Sequence, residues 1–176
     1  MATEKAVRFI KRHLEEAIAA EQSFETQLHG FASEGSSDGI HELFLEHAAE
    51  TRGQYERLAR RLTELGGEPS TVKSLLAHLA GLSPKLAQLG HDTVDRITQD
   101  LMIAYAVENC EIAMYESLIA VAAAAGDQDT AELARTVQDE ERSMAAKVWK
   151  LISPWAGTAF KKLATAETGA MDPSQE

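Results

Sequence analysis

Apolar residues recur every three or four positions along four stretches of the chain, the spacing that lines one face of a helix. The first stretch predicts a helix from about Thr3 to Phe31, with the stripe Val7, Ile10, Leu14, Ala17, Glu21, Phe24, Leu28 and Phe31. A loop of small and polar residues, FASEGSSDG, follows it, and Ser37 or Asp38 is the expected cap of the next helix. That second helix is expected from about Gly39 to Leu65, ended by Gly66 and Gly67. Its stripe reads Ile40, Leu43/Phe44, His47, Glu50/Thr51, Gln54, Leu58, Leu62 and Leu65. The third is expected from Asp92 to Gly126, on Val94, Ile97, Leu101, Ala104, Glu108, Glu111, Tyr115, Leu118, Ala122 and Ala125. The fourth is expected from Thr130 to Ile152, on Leu133, Val137, Glu140/Glu141, Met144, Val148 and Leu151.

The connections set the topology. Helices one and two, and three and four, are joined by short segments, so each pair is antiparallel. Residues 66–91 are long enough to cross the bundle, and contain a short helical piece, Ser70 to Gly81. One long crossover is the ferritin-like arrangement rather than a simple up-down bundle. Ser153-Pro154 is expected to stop the fourth helix and start a short one, Trp155 to Ala166. The fold is therefore expected to be all-α, with the bundle over 1–153 and a short C-terminal helix and flexible tail over 154–176.

Composition agrees with helices. The 176 residues hold only 4 Pro and 6% aromatics, and alanine is about one residue in six, which favours helix over a sandwich or barrel. Seventeen basic against 28 acidic residues leave a net charge of −11, unsuited to a nucleic-acid backbone. The single cysteine, Cys110, can form no internal disulfide, and there is no CxxC pair for zinc. Neither an apolar leader core nor a run near the ~18 apolar residues of a membrane span is present. The expected address is the cytoplasm, with no membrane or nucleic-acid partner.

The acids change the picture because some of them fall inside the stripes. Glu21 does so on helix one, His47 and Glu50 on helix two, and Glu108 and Glu111 on helix three. Glu140 and Glu141 straddle the stripe centre on helix four, so which of them faces inward stays open at this point. Every interruption lies near mid-helix, so all can share one level of a bundle. Like charges in a low-dielectric interior repel, and each desolvated charge costs several kcal/mol. Protons or cations must neutralise them. Two divalent metals would supply the charge, and oxygen-rich ligands with one imidazole suit iron or manganese better than structural zinc.

At these residues the sequence resembles the YciE/YciF-type ferritin-like stress proteins, a bacterial family. AAEQSFETQL at 19–28, HAAETRGQYERL at 47–58, and AYAVENCEIAMYESL at 104–118 with DEE at 139–141 carry the resemblance. It implies a ferritin-like bundle with a dinuclear metal site whose ligands are Glu21, His47, Glu50, Glu108, Glu111 and Glu140. The usual Glu-x-x-His of helix four is broken here, since the expected imidazole position is Ser143. The expected function is oxidation of ferrous iron, or handling of O₂ or peroxide, in a stress response. The alternative is a non-enzymatic helical module that binds a partner and has no functional metal. Spare apolar positions such as Phe44, Leu45, Ile119 and Val121 are compatible with a homodimer.

Overall fold

The computed structural model describes residues 4–34, 39–69 and 95–169. Four helices account for nearly all of them: α1 (Glu4–Glu34), α2 (Ile40–Glu64), α3 (Arg96–Ala125) and α4 (Gln128–Gly169). The apolar stripes match the buried faces closely. Ile10, Leu14, Phe24 and Leu28 of α1, Phe44, Leu58 and Leu62 of α2, Leu101 and Leu118 of α3, and Val137 and Val148 of α4 are all buried.

Helix ends follow local chemistry. Gly66 takes a left-handed φ of 72° and donates its N–H to Thr63 O, while Gly67 N–H reaches Leu62 O. Gly126, at φ 76°, closes α3 in the same way. Both turns need a conformation that a Cβ disfavours. Asp127 then begins α4, accepting the Thr130 N–H at 3.1 Å and the Thr130 hydroxyl at 2.6 Å, and binding Arg61 of α2 at 2.6 Å. The first residue before α2 is Gly39, at φ 81°, with no side-chain cap. Ser37 and Asp38, the expected cap, lie outside the described residues, as do Val94, the Ser70–Gly81 piece and the tail beyond Gly169.

One boundary differs from the expectation. Residues 155–166 are helical, but they continue α4 instead of starting a separate helix, and Pro154 sits inside it. Proline forfeits one i→i−4 hydrogen bond, and its ring crowds the carbonyl four residues earlier. The helix tolerates this because Pro154 is exposed and its neighbours Trp155 and Leu151 keep packing against the core. Pro154→Ala is therefore expected to raise stability, by up to about 3 kcal/mol, read from chemical denaturation.

The core falls into two apolar clusters. One joins Phe24, Leu28 and Phe31 to Phe44, Leu101, Met144 and Val148. The other joins Ile10, Leu14 and Ile18 to Leu58, Leu62, Leu118 and Val137. Along α1 and α4 the first cluster lies C-terminal to the second, and along α2 and α3 it lies N-terminal to it. Thus α1 runs parallel to α4, and α2 runs parallel to α3. The end of α2 lies beside one cluster and the start of α3 beside the other, so those two helix ends sit at opposite ends of the bundle. That is the one-crossover connectivity of ferritin-like bundles.

Candidate metal centre

Between the two clusters lies a polar layer. Each helix contributes to it where its stripe passes from one cluster to the other. Glu21 falls between Ile18 and Phe24, Glu108 and Glu111 fall between Ala104 and Tyr115, and Glu141 falls between Val137 and Met144. These four carboxyls are buried, with His47, Thr51 and Gln54 of α2 buried beside them.

Glu21, Glu111 and Glu141 form the tightest group, with one oxygen of each lying within 4.8 Å of the others. His47 Nε2 lies against Glu108 Oε1, and the imidazole stands edge-on to Phe24 at a centroid distance of 5.1 Å. The Tyr115 hydroxyl donates to Glu21 Oε1. Glu21 Oε2, both oxygens of Glu111, Glu141 Oε1 and His47 Nδ1 are buried with no hydrogen-bond partner. An orphaned buried polar group costs about 1–3 kcal/mol, more if charged. The unpartnered carboxylate oxygens of Glu21, Glu111 and Glu141, which lie together, mark a space that suits a cation.

Electrostatics agree with that reading. Burial pushes Glu108 up to about 8, with the charges of Glu21 and Glu50 adding to the effect. Burial pushes Glu141 up to about 11, reinforced by the neighbouring Glu108 carboxyl and by the charges of Glu50 and Glu140. Glu21 and Glu111 lie well above the usual carboxylate range, again through burial first and through neighbouring carboxylates second. His47 is pushed down to about 4 by burial, so at neutral pH its ring is uncharged and has a lone pair to donate. Without a cation, the layer holds protons.

The residues expected from sequence separate into three situations. Glu21, Glu108, Glu111 and His47 meet in the buried layer. Glu50 is half-buried at its edge, close enough for its charge to act on His47, Glu108 and Glu141. Glu140 points elsewhere: at the rim, Arg57 Nη1 donates to its Oε1 at 2.8 Å, Arg57 Nη2 pairs with its Oε2, and Gln54 Nε2 reaches Oε2 at 3.3 Å. Glu141 takes the inward position on α4. Spacing alone leaves the choice open: Val137, Glu141, Met144 and Val148 repeat at four, three and four, and Val137, Glu140, Met144 and Val148 at three, four and four. Arg57 was legible only as the residue seven after Glu50, two turns along one ridge. Nothing in the sequence said that its guanidinium crosses to α4.

The family described as Domain of unknown function (DUF892) matches residues 8–160. Among solved structures, the chain is similar to YcfI of Rhodopseudomonas palustris, at 27% identity and a TM-score of 0.72, over 80% of this chain and 90% of that one. It is similar to the Escherichia coli stress protein YciF, at 20% identity and a TM-score of 0.72, over 88% and 99% of the two chains. The bacterioferritin of Desulfovibrio desulfuricans, which has a diiron site, matches at 19% identity and a TM-score of 0.69, over 92% and 88%. The last two likenesses are of fold, and they bear out the ferritin-like bundle.

Proposed function

This chain belongs to the DUF892 family, and from that premise we propose that its buried carboxylate layer holds two divalent metal ions, iron or manganese. The observation that carries the reading is the convergence of orphaned carboxylate oxygens from Glu21, Glu111 and Glu141 at one buried point. Glu21, Glu111 and Glu141 would hold one ion. Glu108 and His47, with Glu50 at the edge, would hold the other. The diiron site of the bacterioferritin supports carrying a dinuclear centre over to this fold. When bound, such ions supply one-electron redox chemistry toward O₂ or peroxide.

The chain's own groups prepare the place. Tyr115 holds Glu21 by one oxygen and leaves the other free for a cation. The two apolar clusters seal the layer above and below, so water competes weakly for the ligands. The protons held by the four carboxyls leave when a cation arrives, which makes binding pH-dependent.

A stress-response role is carried over from YciF. Among the described residues no helix is long and apolar enough to cross a membrane, and the cytoplasm remains the proposed address. A homodimer has its best support in the outer side of α3. From Ile97 to Ala125, Glu116 is the exposed charged residue, while Asp100, Glu108 and Glu111 are buried and Met102 is exposed.

Metal analysis of the purified protein tests the proposal. About two ions per chain are expected after loading, followed by ferrous oxidation under air. The Glu50→Ala/Glu111→Ala variant sets the baseline. A native chain holding no more metal than that variant would leave the alternative, a metal-free helical module whose carboxyls stay protonated.

A further inference from the structure

We propose that cations reach the buried layer through the seam between α2 and α4, where Glu140 binds the incoming ion in exchange for Arg57. The inference rests on the metal-binding reading above and adds a route and an outer cation subsite to it.

The seam differs from the other three. At the level of the layer, α3 and α4 are bridged by Gln138, whose Nε2 donates to Ile112 O and Glu116 Oε2, both at 2.9 Å. Tyr115 closes α1 against α3 through Glu21. Helices α1 and α2 pack closely along their length, with Arg52 reaching Glu25 at 3.6 Å. Helices α2 and α4, by contrast, are the loosest of these adjacent pairs.

What lines the seam is polar and half-exposed. Glu50, Gly53 and Arg57, spaced three and four apart, form one ridge of α2, and all are half-buried. A Cβ built on Gly53 would meet nothing within 4 Å, so a side chain added there meets no neighbour at once. Glycine in mid-helix costs about 0.5–1 kcal/mol relative to alanine, and no tight packing here requires it. Across the seam on α4, bonded to Arg57, is Glu140, one residue from Glu141, whose Oε1 is buried and unpartnered. Outer and inner carboxylates are thus consecutive residues of one helix.

The ion pair across the seam can open. Its side chains are 31% and 25% exposed, so water reaches both partners and offsets part of the cost of separating them. Arg57 Nε has no hydrogen-bond partner, so the guanidinium is not locked on all sides. A divalent cation that displaces it leaves Arg57 free to turn to solvent. Glu50, at the other end of the ridge, keeps the inner end negative.

Cobalt(II) uptake by the full chain tests the route, with rates from its visible absorption, release from excess EDTA, and loading at equilibrium from elemental analysis. Glu140→Gln is expected to slow uptake about tenfold, the lower range for loss of a focusing charge. Gly53→Leu adds bulk to the ridge between Glu50 and Arg57 without touching a charge, and leucine is a better helix former. It is expected to slow uptake and release by the same factor, leaving the dissociation constant unchanged. A ligand substitution would instead speed release. If the native chain binds cobalt and both variants load at its rate, or if either loads normally and releases faster, the route is overturned and the metal site stands. If the native chain binds no cobalt, site and route fall together.

Discussion

Replacing Glu111 and Glu141 together by leucine is expected to abolish metal binding and yet make the metal-free protein more stable than the metal-free native chain. The two effects have one cause. Both side chains are buried between apolar clusters, with oxygens that meet no donor. Leucine is close to glutamate in volume, so it leaves little cavity, and it removes the desolvation penalty outright. Buried ionic groups replaced by well-packed apolar residues give neutral to stabilised proteins, by up to about 1–4 kcal/mol. Denaturant unfolding in EDTA measures the gain, and elemental analysis after loading measures the loss. If the metal-free double variant were less stable than the native chain, the layer would be satisfied without a cation, and its role as a ligand set would be wrong. Alanine would be a poor choice at these positions, because the cavity would mask the electrostatic relief.

The stability of the metal-free protein is expected to fall as pH rises from about 5 to 8, and the stabilisation given by bound metal is expected to grow over the same range. Glu108 and Glu141 titrate at about 8 and about 11 in the fold, against 4.5 for an ordinary glutamate. Glu21 and Glu111 are raised as well. A carboxyl raised in the folded state stabilises fully below its unfolded pKa, and that contribution disappears as pH climbs through the folded value. Each carboxyl kept protonated makes unfolding easier by up to about 1.4 kcal/mol per pH unit in that window.

His47 works the other way. Its folded value is about 4 against 6.5, so it stabilises above 6.5, and the contribution is lost as pH falls toward 4. Four carboxyls outweigh one imidazole, so the net trend is downward above pH 5. Metal binding needs the carboxyls deprotonated, and it pairs their charge, so the ion compensates most at pH 8. Thermal unfolding from pH 5 to 8, with and without saturating metal, measures both curves. A difference between them that is flat or shrinks with pH would contradict the coupling.

Much of the fold could be read along the chain. Helices pack by burying one stripe, and a 3.6-residue period is a property of sequence. The stripes over 10–31, 40–62, 101–122 and 137–148 therefore marked both the elements and their inner faces. The acids in those stripes stood out for the same reason, since glutamate at a core position contradicts its surroundings. Glu21, Glu108 and Glu111 were legible without knowing how the helices sit together. So was the need for a crossover, because the segment between α2 and α3 is long.

What the chain could not decide by itself depended on distances between helices. Glu140 and Glu141 are neighbours in sequence, a helical step of about 100° apart, and both are within reach of the bundle axis. Only the position of Arg57, brought across from α2, draws Glu140 to the rim and leaves Glu141 to the interior. The continuity of α4 through Pro154 is of the same kind. Local rules end a helix there, and tertiary packing of Leu151 and Trp155 carries it on. Periodicity determined which residues face the core, because that follows from one helix alone. Which carboxyls meet, which is neutralised by a cation, and which stays at the rim were decided by side chains from different helices competing for one another.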